Sequence, residues 1–224
     1  IQPAPAVLRV AVIFQDFYKG VGIVQYNIGI SLGVAGFFKQ RAGVGKENAV
    51  NGAVTAFLGG EGSGTCGDYV LWVNADSFLG TDGPDVIETP IPVEGTAFDY
   101  RTPHLVSDAL ESGDPQIVRS NGGFDHNFCI NGEGMREAAS LYNPSNGILL
   151  SVWTDQPGLQ LYSGQWWTGE ERGKNGKSLD RFGSFTFETQ NWPDAPNKPS
   201  FPNPFLEPGE TYTHHCEYRF RIME

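Results

Sequence analysis

The sequence predicts an all-β fold, and three observations lead to this prediction. The 224-residue chain contains 29 glycines and 15 prolines, which interrupt it every few residues and leave little room for helices. Short runs rich in β-branched and aromatic residues lie between these interruptions, as strands require. Near the C-terminus two sets of side chains alternate, which indicates a strand; one face would carry Tyr212, His214, Cys216, Tyr218 and Phe220.

The predicted elements follow from the same criteria along the whole chain. Strands are expected where β-branched and aromatic residues lie between turn signals; they are Val7–Phe14, Gly22–Ile30, Asp68–Ala75, a short strand at Ile130, Gly147–Thr154, Gly158–Tyr162, Ser184–Thr189 and Thr211–Arg221. Only Ser107–Glu111 and Met135–Leu141 resemble helices, and both are short. Hydrophobic residues make up 39% of the chain and aromatic residues 12%, which is enough to form a core and excludes a disordered chain.

Charge and cysteine content exclude several classes of protein. The net charge is −11, whereas phosphate backbones are bound by lysine and arginine, so we expect no nucleic-acid partner. No window of about 18 apolar residues is present, so we expect no membrane span. The three cysteines lack C-x-x-C spacing, which leaves either three reduced thiols or one disulfide with a free thiol. The histidines show no metal-ligand spacing, and we expect no metal site.

Glu188 is the most informative single residue. It lies in the segment FTFETQNWPD, close to Phe185, Phe187 and Trp192. A carboxylate removed from water has a raised pKa, which suits general acid–base catalysis. The alternative is that Glu188 points outward from a half-exposed strand, because the two phenylalanines lie at odd offsets from it.

The segment GGFDHNFC provides two further candidates, Asp125 and His126, between aromatic residues. The preceding pair of glycines allows a ligand to approach the backbone closely. Asp125 would otherwise cap a turn, and His126 would be a structural hydrogen-bonding residue.

Residues from about Leu58 to Glu224 resemble the aldose 1-epimerase (galactose mutarotase) family. The segments that carry the resemblance, in family order, are LGGEGSGTCGDYVLWVNADSFL, PVEGTAFDYRTP, GGFDHNF, LSVWTDQPGLQLYSG and FETQNWPDAPNKPSFPNPFLEPGETY. The resemblance implies a large antiparallel β-sandwich, the galactose mutarotase-like supersandwich, truncated at its N-terminus in a chain of this length. Residues 53–224 would form this domain, and residues 1–52, which match nothing in the family, would add strands to the same sandwich.

The resemblance also implies an activity and a set of site residues. The family interconverts the α and β anomers of monosaccharides such as galactose and glucose by opening and reclosing the sugar ring, without a cofactor. Its general base corresponds to Glu188, and its substrate-binding residues to Asp125 in the DHNF motif and Gln160 in the PGLQLY motif. His126 and Tyr162, in the same two motifs, are expected to join them in binding the sugar.

One departure from the family pattern concerns the general acid. The family has a histidine shortly before the GGEGSG segment, where this chain has Ala53, and no histidine occurs before His104. The chain would therefore be a sugar-binding homologue that lacks catalysis, a fragment of a longer enzyme, or a chain whose first 57 residues are unreliably assigned. A hexose-phosphate epimerase is a further alternative, but its phosphate would need clustered basic residues. We expect a monomer or homodimer, cytoplasmic or alternatively secreted.

Overall fold

The structure is a computed structural model. It describes residues 65–172, 178–207 and 210–223, together with the backbone of the strands at 8–14, 24–27, 30–31 and 48–56. The strands are β1 (Leu8–Phe14), β2 (Val24–Asn27), β3 (Ile30–Ser31), β4 (Asn48–Ala56), β5 (Val70–Val73), β6 (Ala75–Leu79), β7 (Thr81–Asp82), β8 (Asp85–Val86), β9 (Ile91–Pro92), β10 (His104–Leu105), β11 (Asp125–Ile130), β12 (Arg136–Asn143), β13 (Ile148–Thr154), β14 (Gly158–Tyr162), β15 (Phe185–Gln190) and β16 (His214–Ile222). The predicted all-β fold is confirmed.

Two large sheets make up the sandwich. The six-stranded sheet has the order β1-β16-β13-β12-β5-β10, and the eight-stranded sheet has the order β2-β4-β15-β14-β11-β6-β9, with β3 paired to β4. The pairs are antiparallel except where β2 and β3 run parallel to β4. A small hairpin of β7 and β8 follows β6. Strands β11, β14 and β15 are therefore neighbours in the eight-stranded sheet, although β15 is distant from β11 in sequence.

The helices of the described residues are short. Helix α1 (Val106–Leu110) lies at the predicted Ser107–Glu111, and α2 (Pro115–Arg119) was not predicted. Single turns of 3-10 helix occupy Cys66–Asp68 and Ala195–Asn197. Among the described residues no helix combines the length and the apolar character needed to cross a bilayer.

The predicted helix at Met135–Leu141 is wrong, because all of this segment after Met135 belongs to strand β12. A bulge between Glu137 and Ala139 shifts the pairing of β12 with β13 by one residue. Ala138 and Ala139 are consequently both buried, which breaks the alternation that identifies a strand in sequence.

The N-terminal strands pair with strands from the rest of the chain. β1 pairs with β16 in the six-stranded sheet, and β4 pairs with β15 in the eight-stranded sheet. The proposed boundary after residue 52 falls within β4. The division of the chain into residues 1–52 and 53–224 stays a prediction.

The main hydrophobic core lies between the two sheets. The six-stranded sheet contributes Leu71, Leu141 and Val152, and the eight-stranded sheet contributes Phe128 and Phe187, all of them at most 1% exposed. Several rings meet edge-on or at tilted angles, and Phe185 and Phe187, for example, have centroids 5.3 Å apart, whereas Phe78 and Phe98 are stacked. This core fixes the inner face of β11, β14 and β15. The three cysteines are buried and form no disulfide.

A second, smaller core lies on the other side of the eight-stranded sheet. It consists of Leu79, Cys129, Ala195 and Phe201, with Val86 and Trp192 packed against it. The segment after β15 supplies half of these residues as it folds back across the sheet. Trp192 donates its indole N–H to the Pro157 carbonyl at 3.1 Å and meets the Phe201 ring edge-on at 5.0 Å. The second core thus forms a wall on the outer face of the sheet.

Candidate active site

A cleft lies beside this wall on the outer face of the eight-stranded sheet. Its volume is about 370 Å³, which falls in the range of small-molecule sites. Residues from three adjacent strands, from the segment after β15 and from the β6–β8 region line it: Leu79, Thr81, Val86, Asp125, His126, Asn127, Gln160, Tyr162, Glu188, Gln190 and Pro193. All five sequence-predicted site residues are among them.

Strand register brings the polar side chains together. Gln160 on β14 is directly opposite Glu188 on β15, and Asp125 on β11 is directly opposite Tyr162 on β14. Directly opposed residues of an antiparallel pair share one face of the sheet, with Cβ atoms about 5 Å apart. Backbone hydrogen bonds therefore set the spacing of these groups.

Glu188 lies in the cleft, on the opposite face of β15 from Phe185 and Phe187. Both phenylalanines are fully buried in the main core, while Glu188 is only partly buried. Burial, together with a smaller contribution from the negative charge of Asp125, raises the pKa of the Glu188 carboxyl from its ordinary value of 4.5 to about 7. The carboxyl is thus poised to exchange a proton near neutral pH.

Asp125 and Gln160 form a hydrogen-bonded pair. Gln160 Nε2 donates to Asp125 Oδ1 at 2.8 Å. Burial raises the pKa of Asp125, and this bond from Gln160 opposes the rise. The pair offers carboxylate oxygens and an amide, which are the groups that bind sugar hydroxyls.

Tyr162 borders the same end of the cleft as Asp125. Its ring meets Trp167 edge-on, with the centroids 6.3 Å apart. Burial is the main cause of the raised pKa of its phenol, with a smaller contribution from the charge of Asp125. The phenol is therefore a neutral group that can both donate and accept a hydrogen bond.

His126 is placed differently from the other predicted site residues. Its ring is 1% exposed and lies against the aromatic core, with centroids 4.8 Å from Phe98 and 6.0 Å from Phe78. Its Nδ1 accepts the backbone N–H of Asp125 at 3.1 Å. Burial lowers the pKa of His126 to about 4, so the imidazole is neutral at physiological pH.

Among the lining residues that the sequence analysis did not identify are two with side-chain amides, Asn127 and Gln190. Gln190 Nε2 donates to Asn127 Oδ1 at 3.1 Å across Gly158, and both side chains are at least 92% buried. A Cβ at Gly158 would lie 2.5 Å from Asn127 Oδ1, so glycine leaves room for this bond. The signal was present in the sequence, since each residue lies two positions from a predicted site residue on the same strand.

Comparison with known proteins identifies the family. The family model for aldose 1-epimerase matches residues 55–219, which is more than half of the chain. The chain belongs to the aldose 1-epimerase family. Galactose mutarotase of Homo sapiens is 38% identical over 167 residues, covering 74% of this chain and 47% of the relative. The aldose 1-epimerase of Escherichia coli is 33% identical over 158 residues, covering 68% and 45%.

Solved structures agree with the aldose 1-epimerase assignment. Galactose 1-epimerase from Lactobacillus acidophilus superimposes with a TM-score of 0.58 at 30% identity, covering 71% of this chain and 46% of that protein. An aldose epimerase homologue from C. elegans shares the fold, with a TM-score of 0.64 at 23% identity over 73% of this chain. The chain spans about half the length of the curated aldose 1-epimerases that it matches.

The backbone register also relates Glu188 to the N-terminal strand β4. Ala53 on β4 is the register partner of Glu188 on β15. Among the described residues, no group of three or more histidine, cysteine, aspartate or glutamate side chains is placed to hold a metal ion.

Proposed function

We propose that this chain interconverts the α and β anomers of a monosaccharide, with Glu188 as the general base. The observation that carries the proposal is the Glu188 carboxyl. It has a pKa of about 7 and lies in a cleft lined by carboxylate, amide and phenol groups, which can hydrogen-bond to sugar hydroxyls. A base whose pKa lies near the working pH transfers protons most effectively.

The reaction consists of balanced proton transfers and one reversible bond cleavage. The Glu188 carboxylate removes the proton of the C1 hydroxyl, the electron pair forms the C1 carbonyl, and the bond from C1 to the ring oxygen breaks. The ring oxygen takes up a proton and becomes a hydroxyl. Rotation about the C1–C2 bond then presents the other face of the aldehyde, and the reverse steps close the ring and return the proton from Glu188. General acid–base groups of this kind contribute about 10²–10⁴-fold each.

Asp125, Gln160 and Tyr162 are proposed to hold the sugar. The carboxylate of Asp125 accepts hydrogen bonds from hydroxyls, and Gln160 and Tyr162 can both donate and accept. The cleft lining pairs these groups with Leu79, Val86 and Pro193, which suits the mixed polar and apolar surface of a neutral hexose. Galactose and glucose are the proposed substrates. A monomeric or homodimeric state and a cytoplasmic location stay predictions.

A second candidate function is sugar binding without catalysis, which the register of Ala53 with Glu188 favours. Alanine has no proton to give, so the ring oxygen must be protonated by another donor. If water serves as that donor, as the catalytic proposal requires, we expect catalysis that is slow but faster than in buffer; the binding function predicts no catalysis.

Polarimetry on freshly dissolved α-galactose separates the two candidates. The wild type, Glu188→Gln and the control Glu133→Gln are compared at pH 7.5; Glu133 is exposed in the turn before β12. We expect mutarotation by the wild type and the control, and none above buffer by Glu188→Gln. A wild type no faster than buffer that still binds galactose in calorimetry would establish the binding function. A folded protein that binds no galactose or glucose at tens of millimolar would refute both.

A further inference from the structure

We infer that His126 is a positioning residue, whose Nδ1 holds the Asp125 backbone at the first residue of β11 and so fixes the carboxylate that is proposed to bind the sugar. The inference deepens the proposed function and rests on it for the role of Asp125. It gives His126 a different role from the expected direct contact with the sugar, because His126 borders the cleft while its ring packs against the aromatic core.

The ladder geometry explains why Asp125 needs this support. Ser163 N–H donates to the Phe124 carbonyl at 3.1 Å, so that carbonyl points toward the side of the strand where β14 lies. The N–H of the same peptide unit, that of Asp125, points to the other side, toward β6. The pairing of β11 with β6 covers Asn127 to Ile130 and does not extend to Asp125. The ladder between β11 and β6 therefore provides no acceptor for the Asp125 N–H, and His126 Nδ1 accepts it instead at 3.1 Å.

The state of the imidazole follows from this bond. Nδ1 accepts, so in the neutral ring the proton is on Nε2. Nε2 is buried and, among the described residues, has no hydrogen-bond partner. The ring is otherwise surrounded by phenylalanines, Phe98 at 4.8 Å and Phe78 at 6.0 Å, which a phenylalanine at position 126 would pack against equally well. The one contact for which the core requires an imidazole is therefore the acceptor at Nδ1.

The position of Asp125 affects two features of the cleft. Its carboxylate accepts from Gln160 Nε2 at 2.8 Å, and its charge contributes to the raised pKa of Glu188. If the Asp125 N–H loses its acceptor, the strand end frays and this carboxylate becomes mobile. The expected result is weaker sugar binding without a corresponding loss of the fold.

Two substitutions separate positioning from packing. His126→Phe keeps an aromatic ring in the core and removes the acceptor. His126→Asn keeps an acceptor, because Asn Oδ1 can occupy the place of Nδ1, and removes most of the ring. Positioning predicts that the phenylalanine variant stays thermally stable but binds galactose about tenfold more weakly, the loss expected for one hydrogen bond. The asparagine variant should melt at a lower temperature and bind galactose nearly as the wild type does.

A purely structural role predicts the opposite order, in which the asparagine variant is worse in both measurements. Equal galactose affinity of His126→Phe and the wild type would overturn the inference. A ligand-free measurement tests it independently of any sugar. In ¹⁵N NMR of the wild type, His126 should show an unprotonated Nδ1 with the proton on Nε2, and the Asp125 amide should be protected from hydrogen exchange.

A protonated Nδ1, or rapid exchange of the Asp125 amide, would overturn the inference whether or not the protein binds sugar. Failure of the proposed function has a different signature, in which the wild type binds no sugar while the NMR result is as expected. The NMR measurement also tests the role of His126 if the phenylalanine variant does not fold, because it uses the wild type alone.

Discussion

Replacing Glu188 by glutamine should remove catalysis and, at neutral and alkaline pH, stabilise the protein. The pKa of Glu188 is raised from 4.5 to about 7 in the folded state, chiefly by burial. When the pKa of a carboxyl is higher in the folded state than in the unfolded state, its ionisation lowers the free energy of unfolding. Its ionisation therefore destabilises the folded protein as the pH rises from about 4.5, the unfolded value, to about 7. Glutamine has the same shape and no charge, so it avoids this cost.

The size of the effect follows from the pKa change. One pKa unit corresponds to about 1.4 kcal/mol, so the rise from 4.5 to about 7 corresponds to about 3 kcal/mol as an upper limit. Below pH 4.5 the wild type and Glu188→Gln should have nearly equal free energies of unfolding. The difference should grow between pH 4.5 and 7 and level off above pH 7.

Urea unfolding of the wild type, Glu188→Gln and Glu133→Gln at pH 4.5, 6 and 8 measures this difference. Glu133 is exposed, so its substitution should leave the pH dependence of the wild type unchanged. A constant offset between Glu188→Gln and the wild type at all three values would refute the reasoning from burial. So would a glutamine variant less stable than the wild type at pH 8.

Three further predictions concern the rest of the cleft. Asp125→Asn removes a negative charge that raises the pKa of Glu188, so the midpoint of the pH–rate profile should shift to lower pH; an unchanged midpoint would show that the two groups do not interact. Ala53→His places a proton donor at the register partner of Glu188, and polarimetry should show a rate increase of about 10²–10⁴-fold, whereas no increase would mean that position 53 does not reach the ring oxygen. Gly158→Ala brings a methyl group to 2.5 Å from Asn127 Oδ1, which should cost about 1–3 kcal/mol in urea unfolding; an unaffected protein would contradict the close packing there.

Local sequence signals identified β14 and β15, whereas only Ile130 of β11 was predicted to be in a strand. Gly158–Tyr162 has the predicted bounds, because a Pro-Gly turn precedes it. β12 was mistaken for a helix because its bulge buries two consecutive alanines. Helix α2 was missed although Asp114 caps it and Pro115 begins it, a recognised start signal.

The sequence predicted the raised pKa of Glu188 from its aromatic neighbours, which are only part of its environment. The sequence placed Glu188 among aromatic residues, yet Phe185 and Phe187 are on the opposite face of the strand, as the odd offsets indicated. Glu188 does point away from the core, and its pKa is nevertheless raised, because the outer face of this strand borders a cleft rather than open solvent. Only the tertiary structure shows that the segment after β15 folds back and covers that face.

The alternation along β11, β14 and β15 divides each strand into residues that hold the two sheets together and residues that face the cleft. A combinatorial library restricted to the cleft-facing positions Asp125, Gln160 and Tyr162 would therefore sample new ligand preferences while every core phenylalanine stays in place. Directed evolution toward other sugars should tolerate many changes at these positions before folding fails.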